Sequence, residues 1–110
     1  MALCAEIYQL TKDFPRSEDY GLISQMRRAS VSIPSNIAEG AARGSVNEFV
    51  RFLNIAAGSL SELDTQLQLA NMLGYVRAEQ CPAMEQLVES LGAKLAGLIR
   101  KLKVKNVPLS

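Results

Sequence analysis

Apolar residues return every three or four positions along four segments of this chain, which is the spacing of amphipathic α-helices and not the alternation of strands. Leu3, Ile7, Leu10 and Phe14 form the first seam, closed at Phe14-Pro15 because the residue before proline is biased out of the helical region. Leu22, Met26, Ala29, Ile33, Ile37 and Ala41 form the second. The third is the clearest: Val46, Phe49, Leu53, Ala56, Leu60, Leu63, Leu67 and Ala70. Met84, Leu87, Leu91, Leu95, Leu98 and Leu102 line the fourth. The expected helices cover residues 2–14, 18–43, 46–73 and 78–103, with a flexible tail over 104–110. Four such helices with short connections predict an all-α fold, an antiparallel up-down-up-down four-helix bundle in one domain spanning residues 1–110.

Capping signals agree with those limits. Ser17-Glu18-Asp19 offers a capping serine and two acidic residues at the start of the second helix. Gly40 and Gly44 bracket its end, and Ser45-Val46-Asn47-Glu48 reads as a capping box for the third. Gly74 ends the third helix, and Pro82 suits the first turn of the fourth.

The second segment holds a conflict, because Pro34 lies inside it. A proline there removes one backbone donor and clashes with the carbonyl four residues back, at a cost of ~3 kcal/mol if nothing compensates. One helix kinked at Pro34 is expected, with a break at that position as the alternative; Ser30 and Ser32 are placed to bond the carbonyls a kink frees. Around this helix the seam faces the core. A polar row of Ser24, Arg28, Ser32, Ser35, Asn36, Glu39 and Arg43 faces water or a partner, and a small side of Arg27, Val31, Pro34, Ala38 and Ala42 admits a close neighbour.

Composition narrows the chemistry. Histidine is absent from the 110 residues, which removes the commonest general base and transition-metal ligand. Cys4 and Cys81 read as reduced, buried thiols and not as a metal or disulfide framework. Gly40 to Ser45 has neither the lysine nor the preceding strand of a phosphate-binding loop. No enzymatic constellation, metal site or cofactor is expected. No apolar run is long enough for a membrane span, and the amino terminus lacks the pattern of a signal peptide, so a cytoplasmic location is expected.

Charge changes the picture more. The net charge is only +1, but residues 20–44 carry +2 and residues 100–110 carry +4. Arg100, Lys101, Lys103 and Lys105 crowd the end of the fourth helix, with no aromatic residues interleaved to stack on bases. On the third helix Glu48, Arg51, Ile55, Ser59, Glu62 and Gln66 share one side. Set against the polar row of the second helix, they are expected to pair with Arg27 or Arg28 and with Asn36. The candidate polar network or subunit interface is therefore Arg27, Ser32, Pro34, Asn36, Glu39, Glu48, Arg51 and Glu62. Small residues at Gly58, Ser59, Gly92, Ala93, Ala96 and Gly97 imply close helix contact, within one bundle or between subunits.

Gln25-Met26-Arg27-Arg28-Ala29, then Ser32-Ile33-Pro34-Ser35-Asn36-Ile37-Ala38-Glu39-Gly40, closely resembles the bacterial four-helix-bundle family encoded in intervening sequences of large-subunit ribosomal RNA genes. The resemblance continues through Glu48-Phe49, Arg51-Phe52-Leu53, Gly58-Ser59-Leu60 and Leu73-Gly74-Tyr75. It implies a small cytosolic bundle that assembles as a homopentamer. A related branch, the accessory proteins of diversity-generating retroelements, forms basic pentamers that bind nucleic acid and the reverse transcriptase, although this chain is less basic. Met1 falls within what would be the first helix of that pattern, so either a short first helix or a gene start placed late is expected. The function expected is a non-enzymatic oligomeric scaffold whose candidate nucleic-acid contacts are Arg28, Arg43, Arg100, Lys101, Lys103 and Lys105, reaching phosphates without base specificity. The alternative is a protein-interaction scaffold that binds no nucleic acid.

Overall fold

The computed structural model describes residues 2–105. It is all α, with four helices: α1 (Ala2–Thr11), α2 (Leu22–Ala42), α3 (Val46–Met72) and α4 (Cys81–Lys105). Single 3-10 turns at Arg16–Glu18 and Ala78–Gln80 join α1 to α2 and α3 to α4. Among the described residues there is no strand.

The helices pack as a ring of neighbours in chain order, α1 on α2, α2 on α3, α3 on α4 and α4 on α1, with the most extensive contact between α2 and α3. Ser32 meets Ser59, while Gly40 lies against Phe52, so numbers rise along α2 as they fall along α3. Gly92 against Leu60 and Cys81 against Asn71 give the same reversed order for α3 and α4. At the centre Ile7, Met26, Ile33, Leu53 and Leu63 are completely enclosed. Each comes from a seam with three-and-four spacing, so periodicity placed them correctly.

The predicted limits shift at three joints. First, α1 stops at Thr11, not at residue 14, although Phe14 is still buried. A turn from the Phe14 amide to the Thr11 carbonyl (3.2 Å) and the tilted stacking of Phe14 on Tyr75 (5.3 Å between centroids) hold it in place. Second, α2 starts at Leu22, not at 18, with Gly21 as its cap. Ser17 caps nothing there; instead the Glu18 carboxylate reaches forward to the Leu22 amide (3.5 Å). Third, α4 starts at Cys81 and runs on through Val104 and Lys105, two positions read as tail. Residues 106–110 lie outside the described residues.

α2 is continuous through Pro34, so the break considered above does not occur. The neighbouring serines serve other partners than freed carbonyls. Ser30 Oγ donates to the Arg27 carbonyl at 2.8 Å, and Ser32 Oγ bonds across to Ser59.

Gly40 does not end α2 but lies inside it, packed close against α3. A Cβ built there would stand 2.6 Å from Phe52 Cβ and 3.1 Å from Phe49 Cδ1. Only a residue without a side chain fits between the two helices at that level. The true terminus is Gly44, whose φ of +74° turns the chain before Ser45 caps α3 by accepting the Glu48 amide at 3.3 Å. Gly74 (φ +78°) closes α3 in the same way, with the Tyr75 amide on the Ala70 carbonyl and the Gly74 amide on the Asn71 carbonyl, both at 3.0 Å.

Candidate recognition surfaces

Two surfaces gather the polar residues singled out by sequence, and the first lies along the α2–α3 seam. Ser32 Oγ and Ser59 Oγ share a hydrogen at 2.8 Å, and Asn36 Nδ2 donates to both the Ser32 carbonyl (2.8 Å) and Ser32 Oγ (2.9 Å). This three-residue network is a polar link between the helices. The expected ion pairs across the seam do not form. Glu39 holds Arg43 (2.7 Å) and Glu48 holds Arg51 (3.1 Å), each on its own helix, while Glu62 accepts from Gln66 Nε2 at 3.3 Å. The reason is proximity: residues three or four apart on a helix meet without crossing an interface. Gln66 is itself buried, and its Oε1 has no hydrogen-bond partner among the described residues.

Arg27 turns the other way, to α1. Its Nε donates to Thr11 Oγ1 at 2.8 Å, and its guanidinium lies 4.7 Å above the centre of the Tyr8 ring. Thr11 in turn donates to the Ile7 carbonyl (2.8 Å), so a buried hydroxyl is satisfied on both sides. Arg28, one position on, is exposed and joins Tyr8, Ser24, Arg27 and Val31 around a shallow surface groove. Pro34 is half-buried, and Val31, Ala38 and Ala42 on its side of α2 are exposed.

The second surface is one end of the bundle. Because neighbouring helices reverse direction, the end of α2, the start of α3 and the end of α4 come together there. Among the described residues that end bears Arg43, Arg51, Arg100, Lys101 and Lys103 against Glu39 and Glu48, and Lys105 is the last residue of α4. Arg43 and Arg51 flank the Phe52 ring at 5.1 and 4.6 Å, so both are held by a carboxylate and an aromatic face. With about half of each side chain in water (47% for Arg43, 52% for Glu39), these pairs contribute at most about 1 kcal/mol. Arg100, Lys101 and Lys103 are exposed and have no ion pair among the described residues. Arg28 is not part of this cluster, since the fifteen positions from Arg28 to Arg43 place it about 22 Å away along α2.

Several residues escaped the sequence reading. Thr11 falls on the α1 seam four positions after Ile7, and that was its one visible signal. Phe52 directly follows Arg51, and nothing in the spacing shows that Arg43 shares its ring. The two cysteines are free and half-buried, not enclosed; Cys4 Sγ lies 3.6 Å from Ser30 Oγ and Cys81 Sγ 3.5 Å from Asn71 Oδ1.

Among the described residues, no group of three or more His, Cys, Asp or Glu side chains is placed to hold a metal ion. No described helix is long and apolar enough to cross a membrane. A comparison with curated proteins found no match. Against models of protein families, residues 1–97 match the 23S rRNA-intervening sequence protein. The matched span holds the α2–α3 polar network and the Gly40 contact but stops short of Arg100. With four helices packed as described and nearly its whole length matched, the chain belongs to the 23S rRNA-intervening sequence protein family.

Proposed function

We propose that this protein is a non-enzymatic, cytoplasmic scaffold that assembles with copies of itself, a pentamer being the favoured state, and holds nucleic acid by its phosphates in a ribonucleoprotein setting. The observation that carries the reading is the basic end, where five cations gather about two carboxylates and the α4 side chains Arg100, Lys101 and Lys103 are unpaired among the described residues. Repetition around an assembly multiplies that charge, and phosphate contact needs no aromatic stacking. Arg43 joins this end; Arg28 contributes only where the ligand also runs along α2.

Binding of labelled RNA and duplex DNA in a salt titration tests this. Affinity falls steeply from low to physiological salt, and replacement of Arg100, Lys101 and Lys103 by glutamine flattens the slope. No binding at low salt removes the nucleic-acid role. Light scattering at several concentrations tests the assembly, and a stable monomer removes it.

A second reading is a protein-interaction scaffold without nucleic acid, favoured by the exposed side of the α2–α3 seam. There Ile55 and Leu69 are 41% and 45% exposed on the helix that carries the unsatisfied Gln66 Oε1. A partner that co-purifies after nuclease treatment supports it.

A further inference from the structure

The α3–α4 face carries charge of opposite sign at its two ends. Near the start of α4, a cavity of about 310 Å³ is bordered by Asp64, Glu85 and Glu89. Near its end, an open groove of about 600 Å³ is bordered by Arg100 and Lys103, with Ala57 and Ile99 inside it. Gly92 and Ala96 line this groove on the side towards the cavity. None of the four α4 charges has an ion pair among the described residues, although all are exposed.

Their positions follow a rule. Glu85, Glu89, Gly92, Ala96, Arg100 and Lys103 step by four, three, four, four and three, so they occupy one stripe of α4. The stripe is symmetric about position 94. Glu85 lies as far before it as Lys103 lies after it, Gly92 and Ala96 are equidistant, and Glu89 and Arg100 are equidistant to within one residue. A helix laid antiparallel on its own copy with the two-fold axis at that level brings each carboxylate opposite a cation, at both ends, and brings the small residues together at the centre.

We infer that the α3–α4 face is a two-fold docking surface for a second copy of this chain, with Glu85 facing Lys103 and Glu89 facing Arg100 across the axis. Such a contact is isologous, so each pair occurs twice. Charge complementarity selects the occupant. A polyanion is attracted to one end and repelled by the other, and a parallel copy sets carboxylate on carboxylate. A partner must carry both signs in reverse order at the same spacing, as this chain does. Packing against α3 does not require the glycine at 92, since a Cβ there would meet only Leu60 Cδ2, at an ordinary 3.6 Å. The stripe from Glu85 to Lys103 is about 27 Å long, and two helices about 10 Å apart give it a width near 20 Å. Roughly 500 Å² per copy, or 1,000 Å² in all, is the lower limit for a specific interface, so the pairing is concentration-dependent.

This contact takes up Arg100 and Lys103, which the proposed nucleic-acid surface also uses, so phosphates compete with it, and it differs from the contacts of a ring. It joins two free protomers or two rings. The experiment uses Glu85→Lys/Glu89→Lys, whose face is all basic, and Arg100→Glu/Lys103→Glu, whose face is all acidic, with circular dichroism to check that each is helical. A fourfold variant with all four changes reverses the polarity and restores complementarity. Sedimentation equilibrium up to ~1 mM reads a doubling of mass for the wild type and the fourfold variant, about tenfold or more weaker in each double variant alone and recovered in their equimolar mixture. The ring state is read separately, from the double variants with pairing switched off. A wild type that does not double, double variants that pair as tightly as the wild type, or a mixture that fails to recover overturns the proposal.

Discussion

Tyr75 donates its phenolic hydrogen to Glu18 Oε2 at 3.0 Å, a bond that spans 57 positions of sequence. It ties the segment after α3 to the turn before α2. The same carboxylate receives the Leu22 amide through its other oxygen, and Phe14 stacks on the tyrosine ring, so one residue pair fixes the start of α2.

A pH dependence follows. The hydrogen bond to Glu18, then burial, then the negative charge of Glu18 all push the Tyr75 phenol above its ordinary value of 10.0. A folded value above the unfolded one favours the neutral phenol in the native state. Its contribution is complete below about pH 10 and is lost as pH rises through the raised folded value. We predict that the urea midpoint of the wild type falls from pH 9 to pH 11.5 (~2.5 units) more than that of Tyr75→Phe. Parallel curves refute the role assigned to the pair.

Gly40 offers a test of sign. On helix propensity alone, Gly40→Ala gains up to ~1 kcal/mol. The 2.6 Å approach to Phe52 Cβ predicts the reverse, a loss of about 1–3 kcal/mol from forced separation of α2 and α3. Urea unfolding decides, and a stabilised variant shows that the helices do not touch as described.

Arg27 and Arg28 are adjacent and differ in role. Arg27→Ala removes the bond to Thr11 and the contact with the Tyr8 ring, with an expected loss of about 1–2 kcal/mol. Arg28→Ala stays within about 0.5 kcal/mol, as expected of an exposed residue. Hydrogen exchange in α1 rises for the first only. Equal effects of the two changes contradict the assignment.

The Ser32–Ser59 bond is suited to a double-mutant cycle. Replacement of each by alanine, singly and together, should give a coupling of about 0.5–1.5 kcal/mol. A coupling near zero makes the link incidental to the α2–α3 seam.

Much of the fold was legible in the sequence because a helix seam is a local pattern. Ile7, Met26, Ile33, Leu53 and Leu63 fell on their seams and are enclosed. Val88 was missed, being buried one position after the Leu87 assigned to the fourth seam, which is only half-buried. What could not be read depended on partners distant in sequence. Ser17-Glu18-Asp19 has the composition of a helix cap, yet Glu18 is drawn to Tyr75 and α2 begins after it. Gly40 has the composition of a terminus, and only the side chains of Phe49 and Phe52 reveal it as a contact point. The polar residues of α2 and α3 take other partners than those expected, since spacing alone shows which charges share a face and not which of two available neighbours each takes.

The left-handed Gly44 implies an order of assembly. By turning the chain within three residues, it makes the α2–α3 hairpin a unit of short loops, Gly40 to Phe52 among them, whereas the Glu18–Tyr75 pair closes only after that hairpin and the whole of α3 are in place. Because loop closure must precede the contacts it enables, the hairpin is the expected nucleus. Folding kinetics then separate the two regions: substitution at Gly40 slows folding, and substitution at Tyr75 chiefly hastens unfolding.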